Sequence, residues 1–201
     1  DAGPDAEFNW FLSVLFPAST LNILAYNRVV KDLNGMTPEA FRARLAELGD
    51  LTATADPVPD VAGAFCIYVD GSWSRLALDP SRIDRSDPIA SLDVSLLHDH
   101  VLAPLLGVGD ERTDTRIDFI GGIRGTAELE KRVDSGRAGV AFSLSPTTIQ
   151  QLLAVSDAGL IMPPKSTWFE PKLRSGLFVH ALGDEPARQA QTHASALRPS
   201  D

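Results

Sequence analysis

The sequence predicts an α+β fold, with mixed, largely antiparallel sheets and helices packed on them. Three observations lead there. Apolar runs of strand length recur along the chain, amphipathic helical segments stand among them, and the two do not alternate strictly enough for a parallel βαβ array. The chain has 201 residues, 44% hydrophobic and 22% charged, which is enough to bury one sizeable core. Residues 1–182 are expected to form a single α+β unit. Residues 183–201 lack an apolar period and read as a flexible tail.

Each element has its own signal. "EFNWFLSVLF" is a nearly continuous apolar run ended by Pro17, which predicts a buried strand over residues 8–16. "LNILAYN" follows the short turn "PAST" and is expected to be its antiparallel hairpin partner. "TPEAFRARLAEL" predicts a helix capped by Thr37, with Pro38 in its first turn and Phe41, Leu45 and Leu48 on one face. "GAFCIYVDGSWSRLAL" predicts a hairpin that turns at Asp70-Gly71. From Leu92 onward, Leu96, Leu97, Val101, Leu105 and Leu106 mark the buried side of a helix that Pro104 kinks or ends.

Two strand-then-helix units follow, "TRIDFIGGIRGTAELEKRVDSG" and "AGVAFSLSPTTIQQLLAVSDAG". In the second, Ser145 is the expected cap and Pro146 the first helical residue, while Gly136 and Gly159 stand where helix-ending glycines belong. "GLFVHAL" reads as a final strand.

Composition also bounds function. A formal net charge of -9 argues against nucleic acid and anionic membrane surfaces as partners, although it permits a small basic pocket. The single cysteine, Cys66, sits in an apolar strand-like run and reads as a core residue rather than a nucleophile. His98 and His100, two residues apart, point to different faces of a helix, and no Cys/His cluster has metal-ligand spacing, so no metal site is expected. With no signal peptide and no apolar run long enough to span a bilayer, the expected compartment is the cytoplasm. The first residue is Asp rather than Met, and a strand-like run begins at once, which predicts a processed chain or a part of something longer.

Three stretches could carry chemistry. In "MPPKSTWFEPKLRSGL", Pro163 and Pro164 stiffen the approach to Lys165, Ser166 and Thr167 offer donors beside it, and Pro171 precedes Lys172 and Arg174. Cations with nearby hydroxyls and amides can cradle a phosphate or carboxylate. An alternative of equal weight is an irregular loop whose Trp168 and Phe169 plug the core while its cations stay in water. In "FIGGIRGTAELE", Gly121, Gly122 and Gly125 surround Arg124 between a strand and a helix. A helix N-terminus can bind phosphate there, but the spacing fits no phosphate-loop pattern, and a tight turn is the favoured reading. In "AYNRVVKDLNG", Asn27 and Arg28 end a strand with Lys31 nearby, so Arg28 can clamp an anion or pair with Asp32. A pairing of His100 with Asp99 for acid-base work is the weakest candidate.

The stretches "NWFLSVLFP", "YNRVVKDLNG", "IDFIGGIRG" and "MPPKSTWFEPKLRSGLFVH" together resemble the C-terminal half of the domain of unknown function family 1015, over residues 8–182. The resemblance implies a longer parent protein whose first half ends in a DGHHR-type motif, absent here. It implies a relation to the ParB/sulfiredoxin-like superfamily and to free L-serine kinases. The implied activity is small-molecule phosphotransfer, with ATP or another phosphate donor and Mg²⁺ as cofactor. The implied rivals are a ParB-like nucleotide-binding switch and a ligand-binding regulator of serine metabolism. On this reading Lys165, Lys172 and Arg174 meet phosphates, Ser166 and Thr167 donate to them, and Asn27, Arg28 and Arg124 complete the phosphate and substrate contacts. The catalytic base is expected in the absent half. The expected partners are the small-molecule substrate and its phosphate donor, with room for a homo-oligomer.

Overall fold

The computed structural model describes residues 3, 4, 6–172 and 174–182. The tail expected over 183–201 lies outside these residues. The chain divides into two compact units. One holds the described residues up to Thr20 and from Lys172 on, and the other is Leu21–Pro171.

The larger unit is α+β, as the sequence predicts. Its strands are β1 (Asn22–Leu24), β2 (Tyr26–Val30), β3 (Gly49–Ala53), β4 (Ala64–Val69), β5 (Ser72–Leu78), β6 (Ile117–Gly121), β7 (Val140–Ser143) and β8 (Trp168–Glu170). Its helices are α1 (Pro38–Ala46), α2 (Asp93–Leu97), α3 (Ala127–Asp134) and α4 (Ile149–Asp157). Six strands form one sheet in the order β3-β5-β4-β7-β2-β6, and β1 pairs with β8 in a second, two-stranded sheet. Each of these pairings is antiparallel.

Local chemistry accounts for most elements. The Thr37 hydroxyl accepts the Ala40 N–H to cap α1, and Phe41 and Leu45 are buried from it. The β4–β5 hairpin turns at Asp70 and Gly71 with φ of 50° and 71°, the paired positive values of a tight hairpin turn. All six residues of β4 are buried, including Cys66, whose thiol pKa burial raises to about 11. α2 continues through Leu97 into a π-type turn over His98–Leu102, where the Ala103 N–H donates to the His98 carbonyl at 2.9 Å. The residues expected on its buried side, Leu96, Leu97, Val101, Leu105 and Leu106, lie in the main core with Phe41, Phe65 and Phe142.

Four expectations need correction. Residues 8–16 are not a strand. Glu7–Asn9 is a 3-10 turn, the residues after it up to Phe16 have no regular structure, and Phe8, Phe11 and Leu15 are exposed. The expected hairpin therefore lacks its first strand, and the strands within residues 21–27 pair elsewhere, β2 with β6 and β7 and β1 with β8. Residues 176–178 form a turn and bend and residues 179–182 have no regular structure, so there is no final strand here, and in the same unit His180 Nε2 lies 2.9 Å from the Glu7 carbonyl oxygen. The cap of α4 is Thr148, not Ser145. Thr148 and Gln151 bond reciprocally in a capping box, while the Ser145 hydroxyl donates to the Pro59 carbonyl. Finally, the stretch from Met162 contains a short strand, β8, although no periodicity announced it.

Glycines at the β6 turn are required by packing. A Cβ at Gly121 would lie 2.3 Å from the Trp168 ring, and one at Gly122 would lie 2.8 Å from the Ala25 carbonyl oxygen. Gly121→Ala is therefore expected to destabilise the protein by about 1–3 kcal/mol through overpacking, measured by urea denaturation. An unchanged midpoint would mean that the ring moves aside freely.

Asp93 in the first turn of α2 is buried and accepts the Gly63 N–H at 2.7 Å. Burial pushes its carboxyl pKa up to about 6, against the opposing pull of that hydrogen bond. The folded protein thus holds this proton to higher pH than the unfolded chain, where an Asp titrates near about 3.9. The contribution is fully present below the unfolded value and is lost as pH rises through the folded one. Denaturation series from pH 4 to 7 should show the parent losing stability relative to Asp93→Asn across this window. Parallel curves would contradict the assignment.

Candidate functional site

The site grows from one side chain. Arg28 stands in β2, where its register partners are Phe119 on β6 and Phe142 on β7. Alternation along a strand places Tyr26, Arg28 and Val30 on one face and Asn27 and Val29 on the other. The Arg28 side chain is fully buried. Its guanidinium carbon lies 5.4 Å from the Phe119 ring centroid, and its Nη1 donates to the Tyr26 carbonyl. Nη2 is 3.6 Å from a carboxylate oxygen of Glu111, which is itself buried. This is an ion pair without close hydrogen-bond contact, and Arg28 Nε and Glu111 Oε2 are both buried without a hydrogen-bond partner. Desolvation lowers the arginine pKa to about 10, with Glu111 opposing the shift.

A tied loop carries Glu111. Arg116 donates from Nη1 to the Leu106 carbonyl at 3.0 Å and from Nη2 to the Gly107 carbonyl and the Asp114 carboxylate. Arg112 bonds Asp110 through its side chain, and these bonds hold the Asp110 pKa near about 2. On the other side of Glu111, His98 Nδ1 lies 3.1 Å from Oε1. Arg28, Glu111 and His98 thus form a contiguous polar chain from the sheet to the π-type turn.

These three line a cavity of about 590 Å³, a size that suits a small ligand. Its charged wall mixes Arg28 and Arg112 with Asp87, Asp99, Asp110 and Glu111, and its apolar wall includes Ile89, Val94, Met162, Pro163 and Pro164. The proline leader is therefore a wall of the cavity. The turn after it is held from inside, since the buried Ser166 donates its hydroxyl to the Pro163 carbonyl and the Thr147 hydroxyl donates to the Ser166 carbonyl at 3.0 Å. Lys165 has φ 54°, a left-handed conformation that a non-glycine residue adopts at a cost.

Within the larger unit the sequence candidates separate in space. Arg28 lines the cavity, and Lys165 lies near the same face of β2, with Nζ 5.6 Å from the Tyr26 ring centroid. Asn27 turns to the opposite face, where its Oδ1 accepts the Leu144 N–H at 3.1 Å. Thr167 is half-buried between Ser166 and β8. Arg124 is exposed in the turn after β6 and is not among the cavity-lining residues. Lys172 and Arg174 belong to the other unit. Lys31 lines a separate small pocket of about 120 Å³ with Arg116, Arg132 and Arg137. Asp32, the alternative partner of Arg28, lies 3.8 Å from Arg116 instead. Trp168 is half-buried and stacks obliquely on Tyr26, with ring centroids 5.2 Å apart.

Sequence reasoning missed Glu111 and gave His98 no role. The acid-rich loop around Glu111 has no periodicity, and nothing local says which of its carboxylates turns inward. His100, preferred to His98 for acid-base work, instead contacts the Arg82 carbonyl at 3.1 Å.

Residues 1–95 match the family model described as a protein of unknown function (DUF1015). The later stretches that carry the sequence resemblance lie beyond that match. No curated protein matches the chain. Among solved structures, a free serine kinase in complex with AMP is similar at 14% identity, with a TM-score of 0.42 over 76% of this chain and 55% of that one. A point mutant of free serine kinase in complex with ADP is similar at 11% identity, with a TM-score of 0.40 over the same shares. The chain spans about half the length of these structures. Among the described residues, no helix is long and apolar enough to cross a membrane, and no group of three or more His, Cys, Asp or Glu side chains could hold a metal ion.

The Arg28–Glu111 pair makes a direct prediction. Glu111→Ala leaves a buried guanidinium uncompensated and should cost about 3–5 kcal/mol. The double variant Arg28→Met/Glu111→Ala should recover most of that loss. Urea denaturation of the three proteins tests it, and a Glu111→Ala loss below about 1 kcal/mol, the range of an exposed pair, would contradict it.

Proposed function

We propose that the protein is a small-molecule phosphotransferase that acts on a free hydroxyl amino acid of the L-serine type, with ATP or another phosphate donor. The observation that carries the reading is the buried Arg28, whose Nε has no hydrogen-bond partner, in the wall of a cavity otherwise rich in carboxylates. A wall with one desolvated cation and several acids suits a zwitterion. The ligand carboxylate would lie on the Arg28 side of the cavity, attracted through space because that side chain has no exposed surface, and its ammonium would face the acids. A polyphosphate alone would be repelled by Asp87, Asp99 and Asp110. The match of residues 1–95 to the family model supports the same reading through the relation that the sequence resemblance implies.

In this arrangement Lys165 presents its ammonium to the donor's phosphates from a turn braced by the Ser166 and Thr147 bonds. Bracing before the ligand arrives lowers the entropy cost of binding. Mg²⁺ would be held mainly by the donor's phosphates and water, because the described residues offer no ligand cluster for it.

The test is a screen of the full-length protein for O-phosphoserine, with L-serine and ATP, ADP or inorganic polyphosphate. Lys165→Ala is expected to raise the donor KM by about tenfold or more, the loss of one charge-assisted contact, and to leave the melting temperature nearly unchanged. Binding of L-serine without turnover on any donor would replace this reading with a ligand-binding regulator. Unchanged donor KM in Lys165→Ala would remove that residue from the phosphate contacts.

A further inference from the structure

We propose that His98 is the general base of this site, positioned by Glu111, a role that rests on the phosphotransferase reading above. Three independent observations meet at this residue. His98 lines the cavity with its side chain 29% exposed, so it can reach both a ligand and the protein interior. Its Nδ1 contacts Glu111, whose side chain is 9% exposed and whose second oxygen is buried beside Arg28. The residue also begins the π-type turn His98–Leu102, an irregularity found frequently at functional sites.

The chemistry follows from the hydrogen bond. A carboxylate only accepts, so a bond between Nδ1 and Oε1 places the ring proton on Nδ1 and leaves the Nε2 lone pair to accept a proton. Glu111 fixes the tautomer and the ring plane, and it stabilises the imidazolium that forms. Arg28 lies on the far side of Glu111, with Nη2 3.6 Å from Oε2. The other charged groups of the cavity wall are Asp110 and Arg112 from the Glu111 loop, Asp87 before α2 and Asp99 beside His98. Asp110 and Arg112 bond each other, which leaves Glu111 as the carboxylate in contact with the ring.

The step balances as follows. The acceptor hydroxyl oxygen attacks the terminal phosphorus of a phosphoanhydride donor, and a new O–P bond forms. The bond from that phosphorus to the bridging oxygen breaks, and the leaving phosphate takes its electron pair. The hydroxyl proton passes to Nε2 and later returns to water. This assigns the base to the present chain, where the sequence resemblance placed it in the absent half.

Two measurements test the assignment in the full-length protein. The first is the imidazole tautomer of His98 in ¹⁵N-labelled protein, read by long-range ¹H–¹⁵N NMR. The proton is expected on Nδ1, and a proton on Nε2 overturns the proposal without any variant. The second is turnover of L-serine with ATP, ADP or inorganic polyphosphate by the parent and by His98→Gln. The variant is expected to lose about 100-fold or more in kcat, the usual share of a general base. Its donor KM and melting temperature should be unchanged. An active parent with His98→Gln within about threefold of it, well short of what a base supplies, overturns the role of His98 and leaves the phosphotransferase reading intact. A parent inactive with every donor removes that reading and this one together.

Discussion

A guanidinium with no exposed surface stands between two phenylalanines in the six-stranded sheet, and the candidate site is arranged around it. Removing such a charge from water costs several kcal/mol, which must be returned by nearby dipoles, rings and counter-charges. The protein supplies the Tyr26 carbonyl, the Phe119 face and the Glu111 carboxylate. None of these saturates the fork, because Nε keeps no partner and the carboxylate stays 3.6 Å from Nη2. An apolar residue would be easier to hold at this position. Retention of an incompletely bonded arginine beside a cavity supports the proposal that the cavity takes a ligand with an anionic group.

The constraint propagates outward. Glu111 has to be held near Arg28, so its loop is tied by Arg116 to two backbone carbonyls and closed by the Asp110–Arg112 bonds. His98 meets Glu111 from the start of the π-type turn. The far wall must not collapse into the cavity, and Pro163 and Pro164, braced through Ser166 and Thr147, resist that. Gly121 lets Trp168 close against β6 and support the same segment.

Mixed charge in the cavity selects ligand chemistry by sign. A ligand that is anionic throughout meets one desolvated arginine and several carboxylates, whereas a zwitterion can satisfy both kinds of group. Lys165 sits apart from this wall, over the Tyr26 ring. On the proposed reading, the acceptor would lie in the cavity and the donor at its proline-braced margin, a division compatible with in-line phosphoryl transfer.

The sequence by itself determined the elements whose causes are local. The Thr37 cap, the Asp70-Gly71 turn, the buried face of the segment after Leu92 and the glycines that end α3 and α4 all rest on contacts within a few residues. It also singled out Arg28 and the proline-bounded Lys165, since a charge in an apolar strand and a stiffened loop are visible without a partner. Tertiary structure decided everything that depends on a distant backbone edge or a distant charge. Residues 8–16 have the composition of a strand, yet beyond the 3-10 turn at Glu7–Asn9 they hold no regular structure, and composition cannot report whether a partner edge is at hand. Ser145, the cap expected from sequence, is drawn instead to the Pro59 carbonyl, and Thr148 caps α4. Glu111 was invisible for the same reason. A carboxylate in an acidic loop gains its role only when folding brings a buried arginine and a histidine to its two oxygens, because Coulomb and hydrogen-bond energies depend on separation in space and not along the chain.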